Sequence, residues 1–159
     1  MGRAALIAIA CAPLTAHAGQ LSLQLGAGSG IGWASRAGLY RDDVIGVMRL
    51  GVGVGRWIAL DVGVSEDAER IEAALRLGVR VKLFAPECWQ DHFAPYLRGE
   101  LSVVGASHLG SNYDALAGIG HWGQLASAFA WYGEADAVVR LGEVETVSAR
   151  LEIGIALTY

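Results

Sequence analysis

The sequence predicts an all-β fold: an eight-stranded antiparallel up-and-down transmembrane β-barrel. Three observations carry that prediction. Apolar residues alternate with polar or small ones through eight successive segments, the period of a strand and not of a helix. Hydrophobic residues make up 53 % of the chain and mean hydropathy is +0.39, yet beyond the N-terminal region there is no run of about 18 uncharged apolar residues from which to build a spanning helix. The N-terminus itself carries the marks of an export signal. High apolarity behind such a signal, without a spanning helix, leaves either a soluble exported β protein or a closed barrel in a membrane.

Residues 1–18 read as the signal peptide, with Arg3 as a short positive region, Ala4 to Ala12 as an apolar stretch and Ala16-His17-Ala18 as a cleavage site. Pro13 and the small-residue tripeptide fit cleavage better than a buried N-terminal helix. A lipoprotein signal at Cys11 would call for a branched aliphatic residue three positions earlier, where Ala8 stands. Residues 19–159 then form one barrel domain, with no linker, low-complexity tract or solenoid repeat. Its single cysteine, Cys88, has no partner for an intrachain disulfide. A net charge of −4 argues against a nucleic-acid partner.

The first predicted strand runs from Gln20 to Gly30, with Leu21, Leu23, Leu25 and Ala27 on one face and Ser22, Gln24, Gly26 and Gly28 on the other. The second, Val44 to Val54, turns tightly at Gly55-Arg56 into the third, Trp57 to Ser65. Glu66 to Leu77 is rich in good helix formers. Yet Ile71, Ala73, Leu75, Leu77, Val79, Val81 and Leu83 alternate without a slip against Glu72, Ala74, Arg76, Gly78, Arg80 and Lys82, so the period argues for a fourth strand. Tyr96 to Val104, Ala115 to His121, Ala128 to Arg140 and Val147 to Tyr159 complete the set. The last alternates most cleanly and ends on an aromatic residue.

One face of these strands holds Arg49, Asp61, Glu72, Arg76, Arg80, Lys82, Arg98, Glu100, Glu134, Asp136, Arg140, Arg150 and Glu152, seven positive against six negative, among many glycines, alanines and serines. An eight-stranded barrel has an interior only just wide enough for side chains. Long charged residues there need small neighbours, and opposite charges in near-equal number can pair. We therefore expect this set to form an ion-pair network plugging the lumen and leaving no wide channel. The opposite face carries no charge within any strand, as lipid requires. Trp33, Tyr40, Trp57, Trp89, Phe93, Trp122 and Tyr159 fall near strand ends, which suits interfacial girdles. The alternative is a soluble lipocalin-like binding barrel with its aliphatic face inward.

The export signal, the eight amphipathic strands, the Pro95-Tyr96-Leu97-Arg98-Gly99-Glu100 strand opening and the terminal Leu151-to-Tyr159 strand together resemble small outer-membrane barrels of the outer-membrane-protein A/X type. That resemblance implies a cell-envelope protein of the Gram-negative outer membrane. It also implies contact with outer-membrane lipid and lipopolysaccharide, a monomeric state, and delivery by the barrel-assembly machinery, read from Ile153, Ile155, Leu157 and Tyr159. Both termini would be periplasmic. Connections near Trp33–Asp43, Ser65–Arg70, Ala106–Asp114 and Leu141–Thr146 would be external, with an acidic rim.

Catalytic, cofactor-binding and metal-ligating residues are not expected, and the chain reads as a non-enzyme. Lipid A deacylases of the same barrel class resemble this chain in placing His near Ser-Asn. Here, however, the spacing is His108-x-x-Ser111-Asn112, and the extra residue puts the two side chains on opposite faces of a strand. Gly26-Ala-Gly28-Ser-Gly30 and Gly51-Val-Gly53-Val-Gly55 do not match a dinucleotide fingerprint followed by a helix. The histidines have no zinc-type spacing.

Overall fold

The computed structural model describes residues 21–34, 38–41, 44–54, 57–67, 73–83, 94–104, 112–141 and 146–159. They form β1 (Leu21–Ala34), β2 (Gly38–Arg41), β3 (Ile45–Val54), β4 (Ile58–Asp67), β5 (Ala73–Lys82), β6 (Ala94–Val104), β7 (Asn112–Ala126), β8 (Phe129–Leu141) and β9 (Thr146–Thr158). Each of β4 to β8 pairs antiparallel with the strand before and after it, β3 pairs with β1 and β4, β9 pairs with β8 and β1, and β2 pairs with β1. The eight long strands thus close into an up-and-down barrel, each of them with a strand neighbour on both sides. Among the described residues no helix is long and apolar enough to cross a membrane. Ala73–Lys82 is strand, so the two-residue period prevails over helix propensity.

β2 is the upper part of the β3 stave, not a ninth one. Gly28 faces Ile45 on β3, whereas Ile31 faces Arg41 on β2. Two residues of β1, Ser29 and Gly30, therefore span the interval that three residues, 42–44, occupy on the other side. This one-residue slip exchanges the two faces. Ile45, Val47 and Arg49 point inward below it, whereas above it Tyr40 shares the inward face of Gly32 and Arg41 is exposed on the outward face.

The strands exceed the predicted ones mainly at the end away from Leu21 and Tyr159. β1 continues to Ala34, β4 to Asp67, and β7 spans Asn112–Ala126 instead of Ala115 to His121. Trp33 and Asn112 to Asp114, expected in external connections, lie in strands. A crossing strand needs about 9–11 residues, so the longer strands exceed what a crossing requires. At the opposite end β7 and β8 meet through a tight turn at Ser127–Ala128, after a register shift between Gln124 and Ala126.

The aliphatic residues line the outside. Leu77, Leu101 and Leu151 are 56, 64 and 69 % exposed, and the described interior is charged. This overturns the lipocalin-like alternative, which needs these side chains enclosed. Trp33, Trp57 and Tyr159 are exposed near strand ends. Trp122 is not a girdle residue. β7 runs past it, and alternation from Gly118 and Gly120 turns it inward, 2 % exposed. Tyr40 likewise belongs to the inner face. Trp89 and Phe93 lie outside the described residues.

A test of the outward face follows. Leu77→Arg, midway along β5, is expected to lose about 2–4 kcal/mol of unfolding free energy in lipid vesicles, against about 1 kcal/mol or less for Ile58→Arg near the strand end. Urea titration read by tryptophan emission measures both, and equal small losses would refute burial of this face in hydrocarbon.

Candidate functional site

The lumen is the place where this chain concentrates its chemistry. Its architecture follows from an alternation of large and small residues around the barrel wall. Across neighbouring strands, Arg49 faces Gly63, Glu100 faces Gly78, Arg98 and Asp136 both face Gly118, and Tyr96 and Glu134 both face Gly120. Glu152 faces Gly28, and Tyr132 faces Gly154. Each long side chain thus leans over a residue that has none. A Cβ placed on Gly120 would lie 2.5–2.6 Å from ring and hydroxyl atoms of Tyr96. These glycines are required for space.

The central layer is a carboxylate–guanidinium lattice. Glu134 and Glu152 stand directly opposite each other on β8 and β9, an arrangement that by itself is repulsive. Arg49 reaches across from β3 and resolves it, donating to Glu134 Oε1 at 3.1 Å and Oε2 at 2.7 Å and also to Glu152. Arg98 donates to Glu134, to Glu100 and to Asp136 at 3.0 Å. Arg76 donates to Glu100, and to Glu152 at 3.2 Å. Tyr96 donates its hydroxyl proton to Glu134 at 2.6 Å, and Tyr132 donates to Glu152 at 3.1 Å. The guanidinium of Arg49 also sits 5.0 Å from the centre of the Tyr132 ring.

Below this layer, toward the termini, Arg80 grips Asp61 with two hydrogen bonds of 2.5 and 2.6 Å. It lies 5.4 Å from the ring centre of Trp122 and 5.6 Å from that of Tyr96. With its amide oxygen turned toward Arg80, Gln24 accepts from it at 2.7 Å. The residual void at this level measures about 10 Å³, on the order of a single water site. Above the central layer, Arg140 pairs bidentately with Asp114 at 2.7 and 2.9 Å. Leu116 and Val138, also buried there, face each other across β7 and β8.

Of the thirteen lumen residues predicted from sequence, Arg49, Asp61, Arg76, Arg80, Lys82, Arg98, Glu100, Glu134, Asp136, Arg150 and Glu152 are buried on the inner face, and Arg140 is part-buried. Glu72 lies outside the described residues. The structure adds Asp114 and Trp122 to the lumen. Both stand two residues apart from inward glycine or leucine positions on β7, and that spacing could have located them had the strand's length been known. Ile153, Ile155 and Tyr159, expected to form an assembly signal, are exposed on the outer face, and Leu157, on the same face, is half-buried. His108 and Ser111 lie outside the described residues.

Carboxylate oxygens of Glu134, Asp136 and Glu152 lie within 4.8 Å of one another. That is close enough for a cation, but each already contacts a guanidinium. Arg49, Arg76 and Arg98 thus take the place of a metal ion in balancing them, and the donor set suits a static lattice better than a metal centre.

No protein-family model and no curated protein matches this chain. Solved structures do. The N-terminal β-barrel domain of Pseudomonas aeruginosa OprF aligns over 89 % of this chain and 99 % of its own, with 13 % identity and a TM-score of 0.63. Neisserial surface protein A aligns over 87 % and 97 %, with 13 % identity and a TM-score of 0.61. A barrel from de novo design of transmembrane β-barrels aligns over 91 % and 98 %, with 16 % identity and a TM-score of 0.58. The chain therefore shares, along nearly its whole described length, the fold of small transmembrane β-barrels.

Proposed function

We propose that this protein is an outer-membrane barrel of structural or surface-interaction duty, without enzymatic activity, whose lumen is plugged by ion pairs. The observation that carries the reading is the combination of an aliphatic outer wall with an inner wall whose central carboxylates are each held by a guanidinium. A hydrocarbon surround accounts for the first. A solute pathway would need the second to open, and several buried charges would then be left without partners, at several kcal/mol each. The likeness to the OprF and Neisserial surface protein A barrels supports the membrane in question, and the A/X-type resemblance of the sequence belongs to the same reading. Cleavage after Ala18, periplasmic termini, monomeric insertion into lipid and lipopolysaccharide, and use of Ile153, Ile155, Leu157 and Tyr159 by the barrel-assembly machinery complete the proposal.

Two measurements test it together. The full chain expressed in a Gram-negative host is expected in the envelope fraction and to migrate faster on a gel before boiling than after. Reconstituted in planar bilayers, it is expected to show no stable large conductance. A protein that stays monodisperse in detergent-free buffer would refute the membrane location, and a steady open channel would refute the plug.

A further inference from the structure

The outer wall is not uniformly bulky. One hydrogen-bonded row crosses it as Gly99, Ala117, Ala137 and Ala149, on β6 to β9, and continues through Ile31 on β1 to Arg41 on β2. The row above it carries Leu101, Ala115, Val139, Val147 and Trp33, and the row below carries Leu97, Ile119, Ala135, Leu151 and Ser29, so bulky residues border it on both sides except beside Ala115, Ala135 and Ser29. The missing side chains leave a groove. Its upper part is a cavity of about 790 Å³ bordered by Ile31, Leu39, Arg41, Ala137, Ala149 and Leu151. A second recess of about 560 Å³, bordered by Val79, Gly99 and Leu101, continues the line. The groove is inclined. Gly99 lies midway along Ala94–Val104, whereas Ala149 and Ile31 each lie three residues from the loop-side ends of their strands, Thr146 and Ala34.

The polar end of the groove is as specific as its floor. Among the described strands Arg41 is the single cation on the outward face; the others point inward. It is exposed and makes no ion pair among the described residues. It faces outward because the register slips by one residue between β2 and β3. From Gly99 to Ile31 the groove crosses four strand spacings, about 19 Å in all, the reach of a saturated fatty-acyl chain. A hydrocarbon slot that starts at mid-barrel and rises to an exposed cation, Arg41, matches one kind of molecule: a lipid with an anionic head and its tail directed to the bilayer centre.

We propose that this groove is a binding site for a phosphorylated glycolipid of the outer leaflet, of the lipid A class. One acyl chain lies along Ala117, Ala137 and Ala149, and a phosphate sits on Arg41. The proposal rests on the outer-membrane reading above, because that reading places the Arg41 end in the outer leaflet. The carboxylates that follow Arg41 in sequence, Asp42 and Asp43, would hold phosphate only through a divalent ion, so a chelator isolates the Arg41 contact.

The experiment is native mass spectrometry of the full chain in detergent with EDTA, titrated with lipid A, with phosphatidylglycerol and with phosphatidylcholine. One lipid A per protein is expected to be retained, ahead of phosphatidylglycerol and well ahead of the zwitterionic lipid. Arg41→Gln and Ala137→Leu are each expected to weaken retention about tenfold, equivalent to about 1.4 kcal/mol. Both changes are on the outer wall, and Ala149→Leu serves if Ala137→Leu does not fold. Equal retention of the three lipids, or variants that bind like the parent, would overturn the site. So would a dimer that forms without lipid and is broken by Ala137→Leu, since a second copy would then occupy the groove. Gel mobility before and after boiling is read in parallel. Its failure would count against the membrane barrel itself, whereas a normal shift with no lipid selectivity counts only against the groove.

Discussion

Arg49→Met is expected to cost about 3–5 kcal/mol of unfolding free energy, the range for removing one partner of a buried ion pair. Arg49 is fully buried and is the group that separates Glu134 from Glu152 across β8 and β9. Methionine fills much of the same volume, so the loss reports charge and hydrogen bonding more than packing. Arg98, Arg76 and the two tyrosine hydroxyls still contact the carboxylates, which keeps the barrel closed but strained by like charge. Arg49→Met combined with Glu134→Gln is expected to recover part of the loss, because one of the two opposed charges is then gone. Urea titration in vesicles, with tryptophan emission as the readout, measures all three proteins. A loss below about 1 kcal/mol would mean that water screens the lattice as it screens surface pairs, and the plugged-lumen proposal would fall with it.

Gly120→Val is the second large effect, expected to cost about 3 kcal/mol, the upper part of the range for overpacking. The three nearest atoms that a Cβ at Gly120 would meet all belong to Tyr96. That ring is fully buried and pinned by its hydrogen bond to Glu134, so it cannot swing clear without breaking the lattice. The clash is therefore specific to one pair of side chains. In a Tyr96→Ala background the same substitution is expected to cost at least about 1 kcal/mol less, a coupling within the range for touching residues. Strict additivity would show that Gly120 is needed for backbone reasons instead of for room.

Much of this arrangement was legible because alternation assigns faces within a strand. Arg76, Arg80 and Lys82 in an Ala- and Leu-rich stretch declare a strand by their spacing alone, and so do Glu134 with Asp136 and Arg150 with Glu152. Alternation does not say where a strand stops. Trp122 and Asp114 therefore fall at a strand end and in a connection by alternation alone, although β7 carries both on its inner face. Nor does it survive an inserted residue. Tyr40 and Arg41 sit on faces that the pattern running through Val47 and Arg49 cannot foretell, because the slip between β2 and β3 intervenes. Which arginine meets which carboxylate was also beyond reach. Those partners are set by the stagger between strands as the sheet closes, a property of the whole cylinder.

The seam between β1 and β9 joins the two extremes of the described chain. It is held by register pairs from Ser22↔Thr158 to Ala34↔Thr146, and it ends in reciprocal bonds between Leu21 and Tyr159 of 3.2 and 2.9 Å. Hydrocarbon does not tolerate an open sheet edge, so a ribbon lacking its final stave has nowhere stable to rest inside a bilayer. Zipping must then accompany insertion, as one late and slow event governed by the most distant contacts, and a chain interrupted before Thr146 leaves β1 and β8 each without a neighbour on one side.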